Sequence, residues 1–354
     1  MSRTTEGALS RIMAGRSKRT AKAVINVPVA NLPTGDSVAI PVHVIRGREE
    51  GPCLVVCAAI HGDEINGVQI IRRLLGSRYL RGLRGTLIAV PIVNVFGFLG
   101  HSRYLPDRRD LNRSFPGLPR GSLAARLAHV FLTEIMSYAT HVVDLHTASV
   151  HRANLPQVRC DLGQPDVEDL ATAFDVPVVV HSTVRDGSLR SALQDQGKPV
   201  VVYEAGEALR FDPLAIRVGV RGVLRAMHTL GMTKQAPTHS RAVVEPYISE
   251  KSSWVRAPVS GVMTLKTRLG AYVREGQIVA TIGDPFGTEE IPVRSPGEGV
   301  VIGEVRLPVI HEGDALLHFA RITEGDEDET RSAMQAFQSE FATPTSAGEP
   351  AQVD

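Results

Sequence analysis

Three places in this chain put ligand-type side chains where a buried strand should end. The first is Ala58-Ala59-Ile60-His61-Gly62-Asp63-Glu64. Leu54, Val55, Val56, Ala58 and Ile60 form a short apolar run before it, the pattern of a strand covered on both faces. The second is Val142-Val143-Asp144-Leu145-His146-Thr147, and the third is Val200-Val201-Val202-Tyr203-Glu204. In an open α/β sheet, ligands gather beyond the carboxyl ends of the strands. His61, Glu64 and His146 together are the donor set of a catalytic zinc site. Three protein ligands leave one position for water, and the metal acidifies that water and polarises a carbonyl. Glu204 is a further carboxylate on the same rim, suited to a general base. Asp144, two residues before His146, is suited to hold the outer edge of its imidazole. Each residue alone has a plainer reading. His61 reads as a turn histidine, His146 as a half-buried rim histidine, Glu204 as a surface carboxylate and Asp144 as a turn cap. Their weight lies in occurring together. Glu207 lies beyond Gly206 and is set aside as a decoy.

The same residues sit in four short motifs. These are H-G-D-E at His61 to Glu64, D-L-N-R-S-F-P-G at Asp110 to Gly117, D-L-H-T at Asp144 to Thr147, and E-A-G at Glu204 to Gly206. In content and order they resemble the succinylglutamate desuccinylase/aspartoacylase family, a branch of the zinc carboxypeptidase superfamily. The resemblance covers residues 50–210. It implies one Zn2+ per chain on His61, Glu64 and His146, with Glu204 as general base. It implies that Asn112 and Arg113 bind a substrate carboxylate, which a planar guanidinium meets bidentately. It also implies an arginine beside the scissile carbonyl, where developing oxyanion charge needs a cation. Arg103 is the best match for that role, with Arg108 and Arg109 as competitors. Arg190, in Ser188-Leu189-Arg190, stands where the family carries another acid-binding arginine; its plainer reading is a solvated helix arginine. Aspartoacylases also carry a tyrosine from the C-terminal domain into the pocket. Tyr247 and Tyr272 are the candidates here, and neither sits in a matching motif.

The activity so implied is a zinc-dependent amide hydrolase, a deacylase that cleaves an N-acyl amino acid or a related small amide bearing a carboxylate. Two rivals use the same residues. A metallocarboxypeptidase acting on peptide C-termini needs the same metal, base and Asn-Arg pair. A non-catalytic binding protein on a hydrolase fold is the rival from another class. Access separates the first two: a C-terminal domain that covers the site favours small acyl amino acids, and an open groove favours peptides.

A chain of 354 residues suggests two domains. Hydrophobic content of 43% and a net charge of +1 fit a globular protein and offer nucleic acid no basic stripe. No apolar run is long enough to span a bilayer. The stretch from Met1 to Lys22 is basic but has neither an apolar core nor a cleavage site, so no secretory signal is expected. Cys53 and Cys57 lie four apart in a strand, about 13 Å from each other and too far for a disulfide. With Cys160 they read as buried free thiols, which suits a cytoplasmic location. The expected partner is the small N-acyl amino acid substrate; neither nucleic acid nor membrane is expected, and a homo-oligomer is allowed.

The elements that must position the site follow from periodicity. Asp36 to Arg46 reads as an early strand, Glu64 to Leu75 as a helix with one apolar face, and Gly85 to Val93 as the next strand. Asn94 to Pro119 reads as a long irregular loop, which in a compact domain is usually functional. Ser122 to Tyr138 is a helix with Ser122 as N-cap, Ser188 to Gln196 a second helix, and Pro213 to Leu230 a third. Alternating strands and helices predict an α/β fold, and the resemblance specifies a zinc-carboxypeptidase-like mixed sheet flanked by helices. From Val244 the texture changes to short strands and glycine turns, with an internal repeat. Ala257-Pro258-Val259-Ser260-Gly261-Val262 is echoed by Ser295-Pro296-Gly297-Glu298-Gly299-Val300. The halves resemble a lipoyl/biotinyl-type barrel-sandwich hybrid, but their connection, Gly283 to Thr288, has no lysine to carry a cofactor. The expected organisation is a peripheral segment at 1–35, a zinc hydrolase catalytic domain at 36–240, a small all-β barrel-sandwich-like domain at 245–322, and an acidic tail at 323–354 that is disordered apart from room for one helical turn around Met334 to Phe341.

Overall fold

A computed structural model of the chain describes residues 6–14, 21–164, 166–238, 245–323 and 326–342. The elements run α1 (Glu6–Ala14), β1 (Ala21–Asn31), β2 (Ser37–Arg46), β3 (Glu49–Ala58), α2 (Asn66–Leu75), β4 (Arg84–Val90), α3 (Val95–Leu99), α4 (Leu123–Val130), β5 (His141–Ala148), β6 (Arg152–Cys160), α5 (Val167–Thr172), β7 (Val178–His181), α6 (Leu189–Gln194), β8 (Val200–Glu207) and α7 (Pro213–Thr229). After residue 244 come β9 (Tyr247–Ser249), β10 (Ser252–Arg256), β11 (Gly261–Leu265), β12 (Tyr272–Val273), β13 (Ile278–Gly283), β14 (Glu290–Arg294), β15 (Gly299–Val305), β16 (Val309–Ile310), β17 (Ala315–Arg321) and α8 (Glu327–Ala342).

Parallel strands β4-β3-β5-β8 form the centre of one mixed sheet. Their crossovers through α2 and the segment carrying α4 leave apolar side chains on both faces, so these strands read as unbroken hydrophobic runs. Leu54, Val56, Val143, Leu145, Val201 and Tyr203 face α2 and α7 in one core. Val55, Cys57, Val142 and Val200 face α4 and α6 in another. The antiparallel strands β2 and β6 flank the parallel centre. No helix among the described residues is long and apolar enough to cross a membrane.

Several boundaries differ from expectation for local reasons. Within 1–35, β1 pairs with β2 along 21–31 and buries Ile25, Val27 and Val29. It is an edge strand but part of the core, as its alternation of buried and exposed residues requires. The helix expected at Ser122 to Tyr138 is capped by Ser122, whose side chain accepts from the Ala125 N–H. It widens to a π-type turn at Phe131–Ile135 and ends in a tight turn at Met136–Tyr138. In place of disorder at the start of the 323–354 tail stands α8. Its Met334 and Phe337 lie within one turn of each other and pack into the first core, while Asp328 is exposed. Residues 343–354 lie outside the described residues, as does the 239–244 connection between the two expected domains.

The C-terminal half forms a small β lobe. A four-stranded sheet, β14-β13-β11-β16, packs over Val273, Val301, Leu317 and Phe319 of the facing strands. Those strands are not an island, because β15 pairs antiparallel with β6 and extends the main sheet into the lobe. That pairing carries β10, β15 and β17 to the rim where the candidate residues end.

Candidate metal centre and substrate pocket

Strand β3 stops at Ala58, and Ala59 takes a left-handed backbone with φ of 53°. The chain there swings His61 and Glu64 over the end of the sheet. Gly62 makes the turn possible: a Cβ on it would meet the Gly97 carbonyl carbon at 1.9 Å. Gly97 is held close because its N–H donates to the Asn94 side chain at the start of α3. His146 arrives on β5, and register sets it beside Glu204 of β8.

His61, Glu64 and His146 are all buried, and one donor atom from each lies within 4.8 Å of the other two. His61 Nδ1 is 2.7 Å from Glu64 Oε1, and His146 Nδ1 is 2.8 Å from Glu64 Oε2. The outward nitrogen of each ring meets a carboxylate. His61 Nε2 lies 3.2 Å from Asp110 Oδ1, and His146 Nε2 lies 2.9 Å from Asp144 Oδ2. Both rings therefore turn Nδ1 inward, with an acid fixing the orientation from behind. The Cys57 thiol donates to the other oxygen of Asp144 at 3.4 Å and holds that acid in turn. Two imidazoles and a carboxylate converging without a bulky group between them fit a tetrahedral zinc with one open position.

Charges follow from this packing. Burial opposes ionisation of Glu64, but the two imidazoles overcome it and hold its pKa well below the usual carboxylate range. Burial also works against protonating the rings, yet Glu64 and Asp110 raise His61, and Asp144 and Glu64 raise His146 well above the ordinary value. Without a metal the carboxylate of Glu64 thus favours the protonated form of both rings, and a dication would replace such protons.

Arg103 reaches the same cluster. Its Nη1 donates to Glu64 Oε1 at 3.2 Å, and its Nη2 donates to Asp110 Oδ2 at 2.9 Å. Arg109, a competitor for that role, is exposed and lies near Asp107 instead. Asp110, read in the sequence only as part of a motif, is a junction: His61, Arg103 and the Asn112 N–H all use its carboxylate. It forms no ion pair with Arg113 among the described residues. Asn112 spends its side-chain oxygen on the Leu189 N–H, docking the start of α6 against the 110–117 motif. Arg113 is exposed on the pocket rim and donates to the Asn112 carbonyl.

Glu204 accepts from the Asn154 side chain at 2.9 Å. Arg190 is not a solvated helix arginine: it donates to Ser182 Oγ at 2.8 Å and to the Thr183 carbonyl at 2.9 Å, and burial lowers its pKa. Glu207 is committed elsewhere, accepting from Arg306 at 3.0 Å and from the His151 N–H. Cys53, Cys57 and Cys160 are buried free thiols, with burial pushing Cys53 and Cys160 up to about 12.

The candidate metal ligands, Glu204, and the arginines Arg103, Arg113 and Arg190 open onto one cavity of about 770 Å³. Its other wall comes from the β lobe, through Trp254, Glu304 and His318. Neither Tyr247 nor Tyr272 lines it. Tyr247 is buried and donates to the Arg321 carbonyl, and the Tyr272 ring lies under Arg331. On the lobe side of the cavity Trp254 stacks flat on His318, with ring centroids 4.3 Å apart and an interplanar angle of 1°. Sequence reasoning missed Asn154, Arg159, Trp254 and His318. Pairing of β6 with β8 brings Asn154 and Arg159 to the site, pairing of β15 with β6 brings in the lobe that carries Trp254 and His318, and no local spacing signals either.

Comparison with known proteins agrees with this geometry. The family model for the succinylglutamate desuccinylase/aspartoacylase catalytic domain matches residues 50–230. The chain is 26% identical over 315 residues to an N-alpha-acetyl-L-2,4-diaminobutyric acid deacetylase of Halomonas elongata, covering 85% of this chain and 91% of that one. A succinylglutamate desuccinylase/aspartoacylase structure from Rhodobacter sphaeroides superposes with a TM-score of 0.76 at 25% identity, covering 86% and 96% of the two chains. A product-bound ectoine utilization protein from Ruegeria pomeroyi superposes with a TM-score of 0.75 at 23% identity, covering 87% and 97%. The last likeness is one of fold.

Proposed function

The chain belongs to the succinylglutamate desuccinylase/aspartoacylase family, and from that premise we propose that it is a zinc-dependent deacylase of small N-acyl amino acids. The observation that carries the reading is the buried His61-Glu64-His146 cluster with an acid behind each ring. When bound there, zinc supplies Lewis acidity toward water and the scissile carbonyl. His61, Glu64 and His146 hold it, and Asp110 and Asp144 keep both imidazoles in the ligating tautomer. Glu204, steadied by Asn154, takes the proton of the attacking water and passes it to the leaving nitrogen. Arg103 meets the negative charge that develops on the carbonyl oxygen. Arg113 and Asn112 receive the substrate carboxylate, and Arg190 stiffens the wall beside them.

The β lobe favours small substrates over peptides. Trp254, His318 and Glu304 of the lobe line the cavity, which supports a covered site over an open groove. The retained donor set and the placement of Glu204 beside His146 speak against a retired, non-catalytic fold. The test is a screen of acetyl-, succinyl- and formyl-amino acids alongside short peptides with the zinc-loaded protein. Release of free amino acid from the acylated set is expected. Cleavage confined to peptides would transfer the site to the carboxypeptidase reading.

A further inference from the structure

Strand pairing fixes only part of the distance between the base and the metal centre. The sheet order is β3-β5-β8, so register sets Glu204 directly beside His146, while the turn carrying His61 and Glu64 leaves from β3, one strand further off. Both ladders that hold β8 also lose register just past Glu204. On β5 the shift falls between His146 and Ala148, and on β6 it falls between Gln157 and Asn154. The end of β8 thus needs support from outside the sheet. Tyr203 gives some of it, because its hydroxyl donates to the Ala215 carbonyl of α7 at 2.7 Å. Asn66, two residues after Glu64 and 1% exposed, gives the rest. Its Nδ2 donates to the Ala205 carbonyl at 3.3 Å, and its Oδ1 accepts from the Asp212 N–H at 3.0 Å. An asparagine at a helix start usually caps its own helix. This one reaches across to β8 and to the residue that caps α7. A second tie lies on the other side of Glu64, where the Leu209 N–H donates to the Asp63 carbonyl at 2.8 Å. The approach of Asn66 is close: Gly206 takes a φ of 75°, and a Cβ there would meet Asn66 Nδ2 at 2.5 Å.

We propose that Asn66 is a positioning residue that fixes Glu204 relative to His61 and Glu64. The inference rests on the deacylase reading, in which Glu204 is the base. The place of the attacking water follows from the metal ligands, and proton transfer needs the carboxylate within hydrogen-bond reach of it. A misplacement of about 1 Å can cost about a hundredfold in rate. Asn154 restrains the Glu204 carboxylate itself. Asn66 restrains the strand beneath it, through the carbonyl of the next residue, and anchors that strand to the helix that follows Glu64. A plain brace between α2 and α7 would use the same two hydrogen bonds. The two roles separate because a brace acts whether or not Glu204 is present, whereas a positioning residue has nothing left to place once the base is gone.

The experiment is a double-mutant cycle of Asn66→Ala and Glu204→Gln in the full chain, reading kcat, KM and zinc content on the best substrate of the screen. Asn66→Ala alone should keep its zinc and a KM within about threefold of the wild type, and lose about tenfold or more in kcat. In the Glu204→Gln background the same substitution should cost about twofold or less. Asn66→Asp keeps an acceptor for the Asp212 N–H but cannot donate to the Ala205 carbonyl, so its kcat should fall with that of Asn66→Ala. Wild-type kcat in Asn66→Asp would leave only the brace and overturn the proposal. So would wild-type kcat in a folded, loaded Asn66→Ala, loss of zinc from it, or an equal loss of kcat with and without Glu204. If Asn66→Ala does not fold, Asn66→Asp enters the same cycle and decides. If no substrate is cleaved at all, the deacylase reading fails separately, and hydrogen exchange decides this one without turnover. Faster exchange of the amides at 204–208 in the variant, with those at 61–64 unchanged, supports the tie, and unchanged protection at 204–208 overturns it.

Discussion

Replacing Glu204 by glutamine isolates proton transfer from metal binding. Glu204 is not among the three converging donors, so the variant should keep its full zinc content. Its one protein hydrogen bond among those described is from Asn154, which donates to Oε2 at 2.9 Å. A glutamine can satisfy Asn154 only by turning its carbonyl oxygen that way. Its amino group then faces the pocket and offers donors where the reaction needs an acceptor. Removing a general base costs about a hundredfold to ten-thousandfold in kcat, or about 2.7–5.5 kcal/mol of barrier. Asn154→Ala is the graded control. It leaves the carboxylate in place but unsteadied, and a charge-assisted bond is worth about 1.5–3 kcal/mol, so a fall of at least about tenfold is expected. The assay is steady-state turnover on the best substrate of the screen, with metal content and thermal melting measured on each variant. A Glu204→Gln protein that is folded, fully loaded and within threefold of the wild-type kcat would refute the reasoning, since another group would have to be the base.

His146→Ala should lose stoichiometric zinc after dialysis, checked by elemental analysis; a fully loaded variant removes His146 from the donor set. Arg113→Ala should lower kcat/KM about tenfold or more on substrates with a free carboxylate, with Arg113→Lys recovering only part. Equal cleavage by the wild type of a substrate and its carboxamide would make Arg113 structural. The metal-free protein should lose thermal stability as pH rises above about 6.5, the unfolded imidazole value, and through the raised folded values. Despite burial, Glu64 with Asp110 raises His61, and Asp144 with Glu64 raises His146 well above the ordinary value. A ring whose pKa is higher folded than unfolded stabilises fully below the unfolded value, and that stability is lost as pH rises through the folded value. Zinc affinity should strengthen over the same range, because each ring must shed a proton to ligate. A melting temperature of the stripped protein that is flat or rising across that window would show that the rings are neutral.

What the sequence by itself determined is the family and the placement of the candidate residues at strand ends. His61, His146 and Glu204 each follow an apolar run of strand length, with Glu64 in the turn after the first, and a strand's end is a local property of its residues. Register was not needed to expect that His61 and Glu64 share a turn, three residues apart. The motif from Asp110 to Gly117 was legible for the same reason, although Asp110 itself became a link between His61 and Arg103 only once the loop was folded. Errors arose where short-range composition misled. The acidic composition after residue 323 leaves only one helical turn around Met334 to Phe341 legible where α8 runs Glu327–Ala342, and alternation in β1 is weak beside its charged flanks.

Only the tertiary structure decided what faces the His61-Glu64-His146 cluster from across the cavity. The pairing of β6 with β8 sets Arg159 beside Val202, and the pairing of β15 with β6 draws in the lobe that carries Trp254 and His318. Contacts between residues 159 positions apart, such as Arg159 to His318, leave no trace in any window of sequence. They depend on which strand edge meets which, and that is settled by burying the whole apolar surface at once, not by the preferences of any one segment.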